Sequence, residues 1–202
     1  MKKVAQFLSF VFGPPLVPVY GVWAALNLSI LSVLPAVVRW SVLGVVAMIV
    51  CVVPLLGIWA LHKIGFLSDT RLRNQDERTM PYFIIMLCYI GCAFFLYKSN
   101  APLWLVMFIV GAVVATLICA IVNRWWKISA HMTAMGGFMA MVMRMAISHL
   151  GDIYMLYPVI IVALLCGLVG SSRLILGRHT PMQVLAGFAV GYICVYFSSG
   201  LI

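Results

Sequence analysis

Apolar runs long enough to cross a bilayer, separated by short polar turns, leave this chain few ways to fold. A helix needs about 20 apolar residues to span the hydrocarbon core. Inside that core its backbone groups must be satisfied within the helix. Runs near 15–34, 41–62, 82–97, 103–122, 132–148, 153–170 and 180–202 meet or approach that length. The pattern predicts an all-α, polytopic transmembrane helix bundle of six to seven spans. Pro14, Pro15 and Pro18 break up the first stretch and predict a kinked entry. No small-x-small cleavage pattern follows it, so these residues read as part of the mature chain. Pro54 predicts a kink in the second span. Charged residues make up 8% of the chain and mean hydropathy is +1.17, against roughly 25% charged in soluble domains. Residues 1–202 read as a single domain, with the motif-bearing core over 63–202.

The charges that remain narrow the chemistry. The acids are Asp69, Asp76, Glu77 and Asp152 only. Two-metal hydrolysis needs a dense carboxylate and histidine set, so phosphate chemistry here would fall to Arg, Lys and His, with no metal and no cofactor expected. The net charge of +9 is split among short loops, which argues against a nucleic-acid surface. The six cysteines lie in apolar runs at no zinc-ligand spacing and read as small packing residues.

Three polar clusters punctuate the spans. The segment 63–82 carries Asp69, Arg71, Arg73, Asp76, Glu77 and Arg78, with Arg71 and Arg78 seven residues apart. The run NRWWKISAH, residues 123–131, offers Ser129 and His131 at the head of a span, with Trp125 and Trp126 as interface anchors. The third, SSRLILGRHTPMQ, residues 171–183, holds Ser172, Arg173, Arg178, His179 and Gln183. Pro181 suits the first turn of a new helix, which places His179 at that helix's start, and Gln183 falls four residues later on the same face. The clusters follow the second, fourth and sixth spans, so parity sets all three on one membrane face. Seen singly, each is also explained as a solvated loop or a headgroup anchor. Arg144 reads as a snorkelling side chain that pairs with Asp152.

Pooled, the clusters supply the parts of metal-independent phosphoryl transfer. Arginine grips phosphate through a planar fork. One histidine can attack phosphorus while another protonates the leaving oxygen. His179 suits the nucleophile, with Gln183 holding its ring, and His131 suits the acid. Arg71, Arg78, Ser129, Ser172, Arg173 and the helix N-terminus would stabilise the transition state.

These clusters resemble the type 2 phosphatidic acid phosphatase family of the acid phosphatase and vanadium haloperoxidase superfamily. That family carries K-x6-R-P, then P-S-G-H, then S-R-x5-H-x3-D. This chain reads Arg71-x6-Arg78-Thr79, then Ile128-Ser129-Ala130-His131, then Ser172-Arg173-x5-His179-x3-Gln183. The resemblance covers residues 71–183, and its third motif is the most specific. It implies a phosphohistidine on His179, His131 as general acid, and Arg71, Arg78, Ser129, Ser172 and Arg173 as phosphate ligands. Arg71 for Lys keeps the charge. Thr79 for Pro, and Ile128 and Ala130 for Pro and Gly, alter loop stiffness. Gln183 for Asp is the serious departure. Its carbonyl can accept the ring N–H but brings no negative charge.

A site at the membrane surface suits a lipid phosphate: phosphatidic acid, phosphatidylglycerol phosphate, a prenyl phosphate or diphosphate, or a lipid A phosphate. The expected location is a bacterial cytoplasmic membrane. The loop-charge bias leans toward the cytoplasmic face, whereas many relatives in the resembled family work on the outer one. No nucleic acid or protein partner is implied. Two other readings stand beside this one: a non-catalytic relative that binds or transports lipid phosphates, and a structural helical membrane protein.

Overall fold

The computed structural model describes residues 1–69, 75–148, 150–151 and 154–200. Arg71, Arg73, His149 and Asp152, which enter the sequence reading, lie outside the described residues. The described chain is helical throughout: α1 (Lys2–Val11), α2 (Val17–Leu28), α3 (Ala36–Ala47), α4 (Val53–Lys63), α5 (Thr79–Lys98), α6 (Leu103–Val122), α7 (Ala130–Ile147), α8 (Leu156–Ile175) and α9 (Pro181–Ser198). Among the described residues there is no strand, only an isolated bridge between Ser29 and Gly151.

Among the described residues, five segments are long and apolar enough to cross a membrane: Ala36–Lys63, Asp76–Lys98, Leu103–Val122, Leu156–Ile175 and Pro181–Ser198. The first joins α3 to α4 through a π-helical turn at Met48–Val52. Pro54 has no N–H to give the carbonyl four residues back, and the ladder widens at that point.

The span expected over about 15–34 is not one helix. α2 stops after 12 residues at Ser29, and a 3-10 turn, Ile30–Val33, follows. Ser29 ends α2 because its hydroxyl donates to the Ala25 carbonyl while accepting the Leu31 N–H. The Ile30 N–H then donates to the Leu150 carbonyl at 2.7 Å. Pro14 and Pro15 separate α2 from α1, an amphipathic helix that packs against α8.

α7 is the axis of the bundle. It packs against α2, α6, α8 and α9 and buries Met132, Thr133, Met135 and every residue from Gly136 to Val142. Glycines set how near α9 comes. A methyl on Gly191 would stand 1.8 Å from the Thr133 carbonyl oxygen, one on Gly136 2.2 Å from that of Phe188, and one on Gly187 2.6 Å from that of Ser129. Without lipid-excluding hydrophobicity to drive them together, membrane helices associate by such close backbone approach. The register is parallel: Ser129 faces Gly187 and Thr133 faces Gly191. The N-terminal ends of α7 and α9 therefore lie side by side.

Candidate active site

The third cluster is built by two consecutive caps. α8 runs on through Arg173, beyond the expected end of its span near 170, and closes at Leu176. Gly177 turns into the left-handed region, φ +61°. Its N–H donates to the Leu174 carbonyl at 2.9 Å, and the Arg178 N–H to the Arg173 carbonyl at 3.1 Å. This is a Schellman closure. Two residues later Thr180 caps α9, its hydroxyl accepting the Gln183 N–H while the Gln183 side chain accepts the Thr180 N–H. This is a capping box. The five residues between Arg173 and His179 are thus the length of one helix exit and one helix entry.

His179 sits between those caps and is 9% exposed. Its Nδ1 lies 3.3 Å from Gln183 Oε1 and 3.3 Å from the Lys127 carbonyl oxygen. Both partners are acceptors, because Gln183 Oε1 also receives the Thr180 backbone N–H at 3.1 Å and so must be the amide oxygen. Nδ1 therefore carries the ring hydrogen, and Nε2 keeps its lone pair.

A cleft of about 230 Å³ gathers the rest. Arg78, His131, Arg173 and His179 line it, against an apolar wall that includes Pro14, Pro15, Leu55, Ile58 and Ile85. Arg78 enters from the start of α5, its guanidinium beside the Tyr82 hydroxyl. A reciprocal amide clamp holds that segment to the end of α6. Gln75 Nε2 donates to the Asn123 carbonyl at 2.6 Å, and Asn123 Nδ2 to the Gln75 carbonyl at 2.9 Å. Glu77 accepts from the backbone N–H and the hydroxyl of Ser68 at 2.8–2.9 Å.

His131, near the start of α7, donates Nε2–H to the Ser9 carbonyl at 3.1 Å. Arg173 donates Nη1–H to the Ser9 hydroxyl at 3.2 Å. Its Nε is buried with no hydrogen-bond partner among the described residues.

The two serines stand apart from this lining. Ser172 gives its hydroxyl to the Leu168 carbonyl of its own helix at 2.8 Å. Ser129 is fully buried against Gly187, and its hydroxyl has no hydrogen-bond partner among the described residues. Arg144, expected to pair with Asp152, lies with its guanidinium carbon 5.1 Å from the Tyr196 ring centre, in cation–π range.

Burial, then Arg173 and Arg78, hold the His179 imidazole below its ordinary range, at about 4, against smaller opposing effects of Gln183 and the Lys127 carbonyl. Burial likewise lowers Lys127, helped by Arg78, Arg178 and Arg173. The mouth of the cleft is thus a region in which Lys127 and His179 both feel the Arg78 and Arg173 guanidinium groups. Among the described residues no three of His, Cys, Asp and Glu come together. That charge is carried by guanidinium and ammonium groups.

Ser9, Gln75, Asn123 and Lys127 are the site residues that motif reading misses. Each acts wholly or in part through its backbone carbonyl, which carries no side-chain signature. Comparison with protein-family models, with curated proteins and with solved structures finds no match for this chain.

Proposed function

We propose that this chain is a metal-independent integral membrane phosphatase acting on a lipid phosphate, built along the lines of the type 2 phosphatidic acid phosphatases that its motifs resemble. The observation that carries the reading is the cleft in which His179 and His131 stand with Arg78 and Arg173, residues a hundred positions apart in sequence. A neutral imidazole with Nδ1–H engaged presents Nε2 as a nucleophile.

In the first step Nε2 of His179 attacks phosphorus. The P–N bond forms and the P–O bond to the lipid breaks, while His131, entering the step as imidazolium, gives its Nδ1 proton to the departing oxygen and is left neutral. Arg78 and Arg173 hold the equatorial oxygens, with Arg71 as a further ligand that the resemblance implies; Ser129 and Ser172, which it also implies, stand apart from the cleft lining. In the second step water attacks phosphorus and passes its proton to His131. The P–N bond breaks and His179 returns to its starting tautomer. Gln183 and the Lys127 carbonyl hold Nδ1–H through both steps.

The lipid assignment rests on the cleft's apolar wall. A second apolar cavity shares Pro14, Tyr82, Ile85 and Ala130 with the cleft, so a tail has apolar surface beside the cationic mouth. α7, as long as α9, is the sixth span in this reading. The catalytic face is the one that holds the N-terminal ends of α7 and α9.

The purified protein in detergent is expected to release phosphate from at least one of phosphatidic acid, phosphatidylglycerol phosphate, a prenyl diphosphate or a lipid A phosphate, with EDTA present. His179→Ala is expected to lower the rate by about 10³-fold or more. Silence across that panel, or full activity in the alanine variant, sinks the proposal. One observation favours a non-catalytic lipid-phosphate binder or transporter: both acceptors on His179 Nδ1 are neutral carbonyl oxygens. Lipid binding without turnover, even in Gln183→Asp, selects that reading.

A further inference from the structure

α1 contributes no residue to the lining of the cleft, yet it bonds two side chains that do line it. Its buried Ala5 faces the bundle, and it packs along α8. Its far end is tied down where Tyr20 Oη donates to the Val11 carbonyl at 2.9 Å and Phe12 meets the Tyr20 ring edge-on. That anchoring brings Ser9 to the cleft. Its hydroxyl accepts Nη1–H of Arg173, 164 residues away, at 3.2 Å, and its carbonyl accepts Nε2–H of His131, 122 residues away, at 3.1 Å. One residue therefore touches both a cation that lines the cleft and the second histidine.

Fixing an arginine side chain costs it rotamer freedom. A guanidinium already held by a neutral hydroxyl has surrendered part of that freedom before an anion arrives, and a neutral partner leaves its charge uncompensated. A carboxylate in the same place would neutralise the charge and compete with phosphate. At His131 the Ser9 carbonyl can only accept, so it holds the hydrogen on Nε2 and leaves Nδ1 as the nitrogen that exchanges a proton.

We infer that Ser9 is a positioning residue of the phosphate site, orienting the Arg173 guanidinium through its hydroxyl and the His131 ring through its carbonyl, so that α1 completes the site. This rests on the phosphatase reading for its catalytic meaning, but not for anion binding.

The test uses the full chain in detergent with inorganic phosphate as the probe, alongside steady-state turnover of a lipid phosphate. Ser9→Ala removes the hydroxyl and keeps the carbonyl. It is expected to weaken phosphate binding and raise KM by about tenfold, the scale of one hydrogen bond to a charged group, while kcat stays within about threefold. Ser9→Thr restores a hydroxyl and is expected to recover most of that loss. Alanine and wild-type proteins that bind phosphate equally overturn the inference. So does a defect that threonine fails to repair, which would mark a packing loss, and so does a wild-type protein that does not bind phosphate. A wild-type protein that binds phosphate but releases none from any lipid, with the alanine loss and threonine recovery intact, removes hydrolysis and leaves Ser9's role standing.

Discussion

Gln183 does two jobs with one oxygen. Oε1 closes the α9 capping box and accepts from His179 Nδ1. An Asp-to-amide exchange costs about 10⁴ in a serine protease triad, where the wrong tautomer results. Here the amide oxygen is held outward by the Thr180 N–H, so the productive tautomer is kept and only the negative charge is absent. Gln183→Ala is expected to lower kcat by about 10–100-fold and to remove roughly 0.5–1 kcal/mol of stability with the side-chain half of the capping box, measured by turnover and thermal unfolding. The pH profile follows from the same side chain. A nucleophilic His179 must be neutral, and its folded-state value is about 4. The acid limb of kcat/KM is therefore expected near pH 4 rather than near the ordinary 6.5 or so of histidine. The unfolded chain binds the extra proton first as pH falls, so this group's effect on stability is greatest above about 6.5 and is lost as pH drops toward 4. Gln183→Asp adds a charge that favours imidazolium, and the limb is expected to move up by about 1–2 units. A limb at 6.5 in wild type, unmoved by the Asp, would contradict this account of His179.

The helices show what the sequence could and could not convey. The start of α9 was legible because it is local: Pro181 opens the helix, with His179 just before it and Gln183 four residues on, while the Gly177 turn and the Thr180 cap emerge only from the structure. The long spans α5, α6, α8 and α9 were legible for the same reason, since apolar length is written in consecutive residues. The first span was not, because Ser29 ends α2 through hydrogen bonds that a hydropathy average cannot see. Ser9 was out of reach because its partners lie 122 and 164 residues away and one is held by a backbone atom. The α7–α9 contact supplies the element-scale prediction. Gly191→Ala places a methyl 1.8 Å from a backbone carbonyl oxygen, whereas Gly167 on α8 has nothing within 4 Å. Gly191→Ala is expected to lose at least about 2 kcal/mol and most activity as the two helix starts part. Gly167→Ala is expected to be neutral in both, by unfolding in detergent and by turnover. Equal behaviour of the two variants would mean that this helix contact does not set the site.

At the scale of the molecule, the bundle brings cations from α5, the α6–α7 loop, α8 and the α8–α9 turn to one cleft beside apolar surface. The residues of that cleft come from all three polar clusters of the sequence: Arg78, His131, and Arg173 with His179. The serines lie elsewhere, Ser172 held by its own helix and Ser129 packed under Gly187. If the arginines rather than a metal neutralise the transition state, rates with and without EDTA should agree within about twofold, whereas Arg173→Ala should cost about 10²-fold in kcat/KM, the scale of one transition-state donor. The most direct measurement is chemical trapping of the intermediate. The protein is mixed with a lipid substrate carrying labelled phosphate, quenched in alkali and digested. Label is expected on the peptide that contains His179, stable in alkali and lost in acid, and absent from His179→Ala. Turnover with no label on that peptide, or label that persists in the alanine variant, would contradict that expectation.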